Sequence, residues 1–410
     1  MYQRHLEGAV QRSLKDTPVV LITGARQTGK TTLVRSIMSA RSGYRYVSLD
    51  DAATAAAAAA DPQGFVEGLG ERVAIDEVQK IPELFPAMKL AVDRKRVAGR
   101  FLLTGSADVL ALPVISESLA GRIEPRTLWP LSRGEIEGTN DTFVSAVFGS
   151  KIPMVGAASS DRAGALRIAI QGGFPEAITR SEARRRDWFT AYVSTILQRD
   201  VRDLADVHDL SALPRLLSLL ATRASNLSNM SDLSRASSVP LTTLQRYVAL
   251  LEHTFLVRMI PAWSTNRGKR LIKTPKVGFV DTGLQAHLSG ATTARLGREP
   301  DLAGPLLEGF VATELEKQLG WSRIRASLFH FRTHAGKEVD LVLEADDGRV
   351  VGVEVKAASS IGAAAFNGLE ALRGSAGARF HRGVVLYTGG ASLPFGPRLI
   401  ALPFRALWEL

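Results

Sequence analysis

Val19-Val20-Leu21-Ile22-Thr23-Gly24-Ala25-Arg26-Gln27-Thr28-Gly29-Lys30-Thr31-Thr32 decides the fold of the first part of this chain. The run from Val19 to Ile22 is continuously apolar, as a strand buried on both faces must be. Leu33-Val34-Arg35-Ser36-Ile37 then carries helical spacing. Between strand and helix, Gly24 and Gly29 bound a loop whose backbone N–H groups can turn inward around phosphate oxygens, and the helix beginning near Lys30 adds its N-terminal dipole. This is the phosphate-cradling P-loop in its proper setting. Gly24, Ala25, Arg26, Gln27, Thr28, Gly29, Lys30, Thr31 and Thr32 are expected to bind ATP. Lys30 is expected to reach the terminal phosphates, and Thr31 to place its hydroxyl on Mg²⁺.

Working outward, Arg72-Val73-Ala74-Ile75-Asp76-Glu77 is a short apolar strand that ends in two carboxylates. Asp76 fits the Mg²⁺ shell, and Glu77 fits the group that orients and deprotonates an attacking water. A P-loop kinase is the competing enzyme class, and the glutamate directly after the aspartate argues for hydrolysis. Arg100-Phe101-Leu102-Leu103-Thr104-Gly105-Ser106 ends a third strand in hydroxyls; either Thr104 or Ser106 could sense the terminal phosphate, or both could lie outside the nucleotide site. Arg122 follows the small-residue turn Ser118-Leu119-Ala120-Gly121. A guanidinium there could enter a neighbouring subunit's nucleotide site or be an ordinary surface charge.

The whole chain has 410 residues, 45% hydrophobic and 22% charged, which suits two or three globular domains and excludes wholesale disorder. A formal charge of +10 favours acidic partners such as nucleic acid. The absence of cysteine excludes disulfides, thiolate nucleophiles and cysteine-ligated zinc. The opening residues lack the apolar core of a signal peptide, and no run is long enough to span a bilayer. A cytoplasmic protein without a membrane partner is expected.

The set Gly24-Ala25-Arg26-Gln27-Thr28-Gly29-Lys30-Thr31-Thr32, Ile75-Asp76-Glu77-Val78-Gln79-Lys80, Leu103-Thr104-Gly105-Ser106 and Leu119-Ala120-Gly121-Arg122 resembles the AAA-type ATPases of bacteria and archaea. More narrowly, it is similar to the branch whose C-terminal half is filed as domain of unknown function 4143. Gly172-Gly173-Phe174-Pro175-Glu176, Gln198-Arg199-Asp200-Val201, Phe279-Val280-Asp281-Thr282-Gly283-Leu284 and Glu308-Gly309-Phe310-Val311 extend the resemblance over nearly the entire chain. It implies a fold and ATP binding far better than a biological role.

Three domains are expected: an AAA-type P-loop ATPase at 1–150, a helical and winged-helix-like domain at 151–290, and an α/β nuclease-like domain at 291–410. The first boundary rests on the Gly-, Ser-, Asn- and Asp-rich stretch from Gly134 to Arg162. Arg180, Arg184, Arg185 and Arg186 before Trp188 form a basic patch that is either a phosphate contact or a solvated helix face. Residues from Ser211 to Ala262 read as three helices. In the third, Leu241, Leu244 and Val248 face the core and Thr242, Thr243, Gln245 and Arg246 face outward, as on a recognition helix. Phe255 to Ile260 would be a wing strand, paired with Leu271-Ile272 or Val277-Gly278-Phe279 across a turn carrying Arg267, Lys269, Arg270 and Lys273. Such a unit either reads DNA or is a structural lid or subunit contact.

In the last third, Glu308 lies on a helix, Asp340 on a strand after a glycine turn, and Glu354-Val355-Lys356 at the end of another strand. Strand alternation sends Glu354 and Lys356 to one face. This ordered set looks like the PD-(D/E)xK nuclease fold, in which Glu308, Asp340 and Glu354 would hold a hard cation and Lys356 would steady water or phosphate. Two functions are carried forward: ATP hydrolysis coupled to a nucleic-acid-binding, nuclease-bearing half, with DNA favoured over RNA; or ATP regulation of a DNA- or protein-binding module whose nuclease-like site is inactive. A homo-oligomer is compatible with either.

Overall fold

The computed structural model describes residues 2–41, 43–106, 119–158, 161–199, 201, 211–266, 268, 270 and 273–410. Two compact units emerge: Gln3–Pro130 with His253–Phe255, and Leu131–Glu252 with Leu256–Leu410.

The first unit is built on a parallel sheet. Its strands are β1 Val19–Thr23, β2 Arg45–Ser48, β3 Val73–Asp76, β4 Phe101–Thr104 and β5 Ile123–Thr127, in the order β2-β3-β4-β1-β5. Every neighbouring pair is parallel. The central strands β1, β3 and β4 are buried throughout because helices cover both faces. Val20, Ile22, Ala74 and Leu102 pack on one side with Leu33, Val34 and Ile37 of the helix Lys30–Ala40. Val19, Leu21, Ile75 and Leu103 pack on the other with Phe85, Met88 and Val92 of Leu84–Arg94. The alanine run folds as the helix Ala52–Ala60, with the Asp51 carboxylate capping Thr54 N at 2.8 Å. Asp61 then caps the next helix, Pro62–Gly68, which explains why the pattern breaks there.

The second unit contains the two-stranded antiparallel pair β6 Val257–Ile260 and β7 Lys276–Phe279, and a mixed six-stranded sheet. That sheet comprises β8 Ala326–Arg332, β9 Glu338–Ala345, β10 Val350–Lys356, β11 Phe380–Tyr387, β12 Leu393–Pro394 and β13 Leu399–Pro403, ordered β12-β13-β11-β10-β9-β8. The helix Ala303–Leu319 covers one face and Asn367–Ala376 the other. The helices Ala212–Thr222, Met230–Ser237 and Leu241–His253 occupy the expected three-helix stretch.

Two expectations need revision. Phe143, Val144, Val147 and Phe148 do not belong with the P-loop sheet; they pack against Leu315, Val384 and Trp408 in the core of the second unit, so the division falls after Pro130 rather than near residue 150. The glycine- and serine-rich stretch misled because it holds a capped helix, Arg133–Glu137, closed by a Ser132–Glu135 capping box. Leu241, expected in the core, is 40% exposed, whereas Tyr247 of the same helix is buried. Among the described residues no helix is long and apolar enough to cross a membrane.

Candidate nucleotide site and the buried acidic pocket

The parallel register of the first unit brings three strand ends together. Asp76 closes β3, Thr104 closes β4, and the loop after β1 leads into the helix that begins at Lys30. A crevice outside the carboxyl ends of parallel strands is where such sheets bind ligands. Gly24 lies at φ 140°, and a Cβ there would sit 2.2 Å from the Leu128 carbonyl oxygen, so only glycine fits. Gly29 is left-handed at φ 93° and turns the chain into the helix. Lys30 is buried, its Nζ donating to the carbonyls of Gly24 and Ala25 at 2.9 Å each. Thr28 steadies the loop through Oγ1 to Ala25 O at 3.0 Å. Thr32 is exposed.

Asp76 is 4% exposed, and among the described residues its carboxylate accepts from neutral hydroxyls. Thr31 Oγ1 donates to Oδ2 at 2.8 Å, Tyr46 OH donates to the same oxygen at 2.7 Å, and Thr104 Oγ1 donates to Oδ1. Glu77 follows with left-handed backbone (φ 59°), a conformation that a non-glycine residue keeps only where its surroundings enforce it. Here the Glu77 N–H donates to Thr104 Oγ1 at 3.1 Å, while Gln79 Nε2 and Ser106 Oγ donate to its Oε2 at 2.5 and 3.2 Å. Gln79 also reaches Ser106 Oγ at 2.9 Å. Thr104 and Ser106 thus divide the work, one on each acid. Tyr46 and Gln79 were missed in the sequence. Gln79 lies only two residues beyond Glu77 and could have been suspected; Tyr46, on another strand, gave no signal. Arg122 donates from Nε to Asp93 of its own chain at 2.6 Å and from an Nη to Ala120 O at 3.1 Å. Ser118 lies outside the described residues.

In the second unit, Glu308, Asp340, Glu354 and Lys356 do line one pocket, of about 240 Å³. Glu308 comes from the helix Ala303–Leu319, Asp340 from β9, and Glu354 and Lys356 from β10. The sequence did not foresee Lys276 of β7. Its buried Nζ lies 2.7 Å from Glu308 Oε1 and 3.8 Å from Asp340 Oδ1. Asp340 Oδ2 accepts Val355 N at 2.8 Å, and Glu354 Oε1 accepts Lys356 Nζ at 2.7 Å. Burial pushes all three acids up: Glu308 well above the carboxylate range, Asp340 upward despite the pull of Lys276, and Glu354 to about 7 with added repulsion from Asp340. Burial works against the charge on Lys276, but Glu308 and Asp340 outweigh it and raise its pKa. Among the described residues no group of three or more acids or histidines is disposed to hold a metal ion.

Several expected nucleic-acid contacts are engaged within the unit. Arg270 donates to Glu344 at 2.6 Å and to Ser264 O at 2.6 Å, with its guanidinium over the Trp263 ring. Arg185 is spent on the carbonyls of Ala177, Ile170 and Arg180, and Arg184 pairs with Asp187. The strand β6 does pair with Val277-Gly278-Phe279 of β7, whereas Arg267, Lys269, Leu271 and Ile272 lie outside the described residues, as does Asp200. Thr242, Gln245 and Arg246 are exposed on the helix Leu241–His253, and Thr243 is half-buried.

Residues 16–137 match the AAA domain family, residues 164–295 a domain of unknown function (DUF8612), and residues 303–407 a domain of unknown function (DUF4143). Uncharacterized proteins of Mycobacterium tuberculosis and Mycobacterium bovis are each 33% identical over 405 residues, which is 98% of this chain and 83% of theirs. Among solved structures, the chain is similar to the Walker-type ATPase PABY2304 of Pyrococcus abyssi, at 13% identity over 70% of this chain and 96% of that one, with a TM-score of 0.44. It is also similar to the RuvB Holliday junction branch migration motor of Thermotoga maritima, at 18% identity over 62% of this chain and 85% of that one, with a TM-score of 0.25. With the AAA domain over the P-loop sheet, DUF4143 over the C-terminal sheet, and relatives matching along almost its full length, the chain belongs to the AAA-type P-loop ATPases that carry a C-terminal DUF4143 region.

Proposed function

We propose that the first unit is a Mg²⁺-dependent ATP hydrolase, and one observation carries the reading: Asp76 sits between the hydroxyls of Thr31 and Thr104, next to a Glu77 held by Gln79 and Ser106. The residues fit Mg²⁺–ATP. Among the described residues Asp76 is met by neutral hydroxyls, which leave its charge available to a cation, and at Gly24 a Cβ would run into the Leu128 carbonyl, so the loop keeps its backbone N–H groups turned toward phosphate only with glycine there. Thr31 and Asp76 would hold the ion, which when bound neutralises phosphate charge. Lys30 exchanges the Gly24 and Ala25 carbonyls for phosphate oxygens. Glu77 orients the attacking water and takes its proton, and Gln79 and Ser106 fix the carboxylate that does so. Arg122 is assigned to the nucleotide site of a neighbouring copy in a homo-oligomer, released from Asp93 on assembly. Phosphate release by the purified chain, with Mg²⁺ and with chelator, tests the proposal. Turnover indifferent to Lys30→Ala or Glu77→Gln would overturn it.

For the second unit we favour a nucleic-acid-binding module, DNA before RNA, whose nuclease-like pocket is inactive and whose partner binding follows the nucleotide state. The +10 charge and the exposed Gln245 and Arg246 support an acidic partner, and the Lys276–Glu308 pair disfavours metal-assisted cleavage. A cytoplasmic location goes with this reading. Salt-dependent DNA binding without cleavage is the expected result; cleavage lost in Asp340→Ala would restore the nuclease, and no binding at low salt would point to a protein partner.

A further inference from the structure

The residues of the C-terminal pocket do not fit the divalent ion that a nuclease-like fold implies, and the misfit has a specific cause. Lys276 brings an ammonium from β7, outside the six-stranded sheet, to within 2.7 Å of Glu308 and 3.8 Å of Asp340. A divalent ion bridging those two carboxylates would have to stand within a few ångströms of that ammonium and would bear the repulsion between the two cations. Glu354 marks the same pocket as built for a cation. It is 93% buried, being 7% exposed, and although Oε1 meets Lys356 its Oε2 has no hydrogen-bond partner among the described residues.

We propose that Lys276 is the resident cation of this pocket and closes a latent divalent-cation site formed by Glu308, Asp340 and Glu354. The lysine supplies positive charge to Glu308 and Asp340, as Lys356 does to Glu354, and it ties β7 to the helix Ala303–Leu319 and to β9. The inference deepens the reading of an inactive nuclease-like pocket and rests on it.

The test is Mn²⁺ binding to the full chain without nucleotide, followed by electron paramagnetic resonance. Every protein carries Asp76→Asn so that the P-loop site does not contribute. With Lys276 intact, Mn²⁺ binding is expected to be unchanged by Asp340→Asn. Lys276→Met is expected to gain a Mn²⁺ site roughly tenfold or more tighter than any in the parent, as the loss of an adjacent positive charge predicts, and Asp340→Asn should remove that site again. Mn²⁺ should also raise the melting temperature of the Lys276→Met chain and not that of the parent. Binding that depends on Asp340 while Lys276 is present overturns the proposal, and this arm stands even where Lys276→Met does not fold. A folded Lys276→Met chain without the new site overturns it equally. DNA binding, read in a separate titration, reports on the module and not on the lock.

Discussion

Two carboxylate sites, one in each unit, answer the same electrostatic problem in opposite ways. Asp76 is buried at a strand end and is satisfied by the hydroxyls of Thr31, Tyr46 and Thr104. Asp340 and Glu354 are buried and Glu308 is half-buried in a sheet pocket, and the cations they meet are the ammonium groups of Lys276 and Lys356. Hydroxyls stabilise a carboxylate while leaving its charge available to a metal and its phosphates. Ammonium groups cancel that charge and compete with any further cation. Similar acids thus make a site ready for a cofactor in one unit and a self-neutralised lock in the other, and the donors around them decide which.

The largest effect expected from this contrast is catalytic. Glu77→Gln should lower ATP turnover by about 10²–10⁴-fold while leaving nucleotide binding intact, as loss of a general base does; phosphate release and fluorescent-nucleotide titration separate the two. Next is stability. Lys276→Met should cost roughly 3–5 kcal/mol because it strands buried carboxylates, and pairing it with Glu308→Met should recover much of the loss; urea denaturation of the second unit's transition measures both. If the single change costs nothing, the lock is not electrostatic.

A smaller effect comes from His330 on β8, which burial and the nearby Lys276 push down to about 4. The folded-state value lies below the unfolded one, so this stability is present above about pH 6.5 and is lost as pH falls through 4. Between pH 7 and pH 5 the loss should be roughly 2 kcal/mol. Glu354, raised to about 7, works in the opposite sense, its contribution being present at acid pH and lost as pH rises through 7. The readout is therefore the difference between the parent and His330→Gln denaturation midpoints across pH, which should be constant near neutrality and move in favour of the variant as pH falls toward 5. Arg122→Ala should give the smallest change in stability, about 1 kcal/mol or less, since its pair with Asp93 is half-exposed. A loss of turnover that grows with protein concentration would place its guanidinium in a neighbour's site.

The P-loop, the Asp76–Glu77 strand end and the hydroxyls of Thr104 and Ser106 were legible in the sequence because each is a local pattern: an apolar run, a glycine turn or a polar residue at a strand's close. Parallel pairing then has little choice but to gather those ends on one edge. Glu308, Asp340, Glu354 and Lys356 were legible as a group for the same reason, each being readable on its own helix or strand. The donors were not. Tyr46 lies 30 residues from Asp76, and Lys276 lies 32 from Glu308, on a strand that belongs to a different sheet. No periodicity or spacing links them, since a hydrogen-bonding partner across such a distance is chosen by packing. The domain boundary was missed on similar grounds: Phe143 to Phe148 look like any short apolar helix until Leu315, Val384 and Trp408 close around them. The amino-acid sequence by itself determined where the acids and the phosphate loop stand, because local geometry follows from local composition. Only the tertiary structure decided which cation or donor each acid meets, because burial and the partners it enforces are properties of the folded whole.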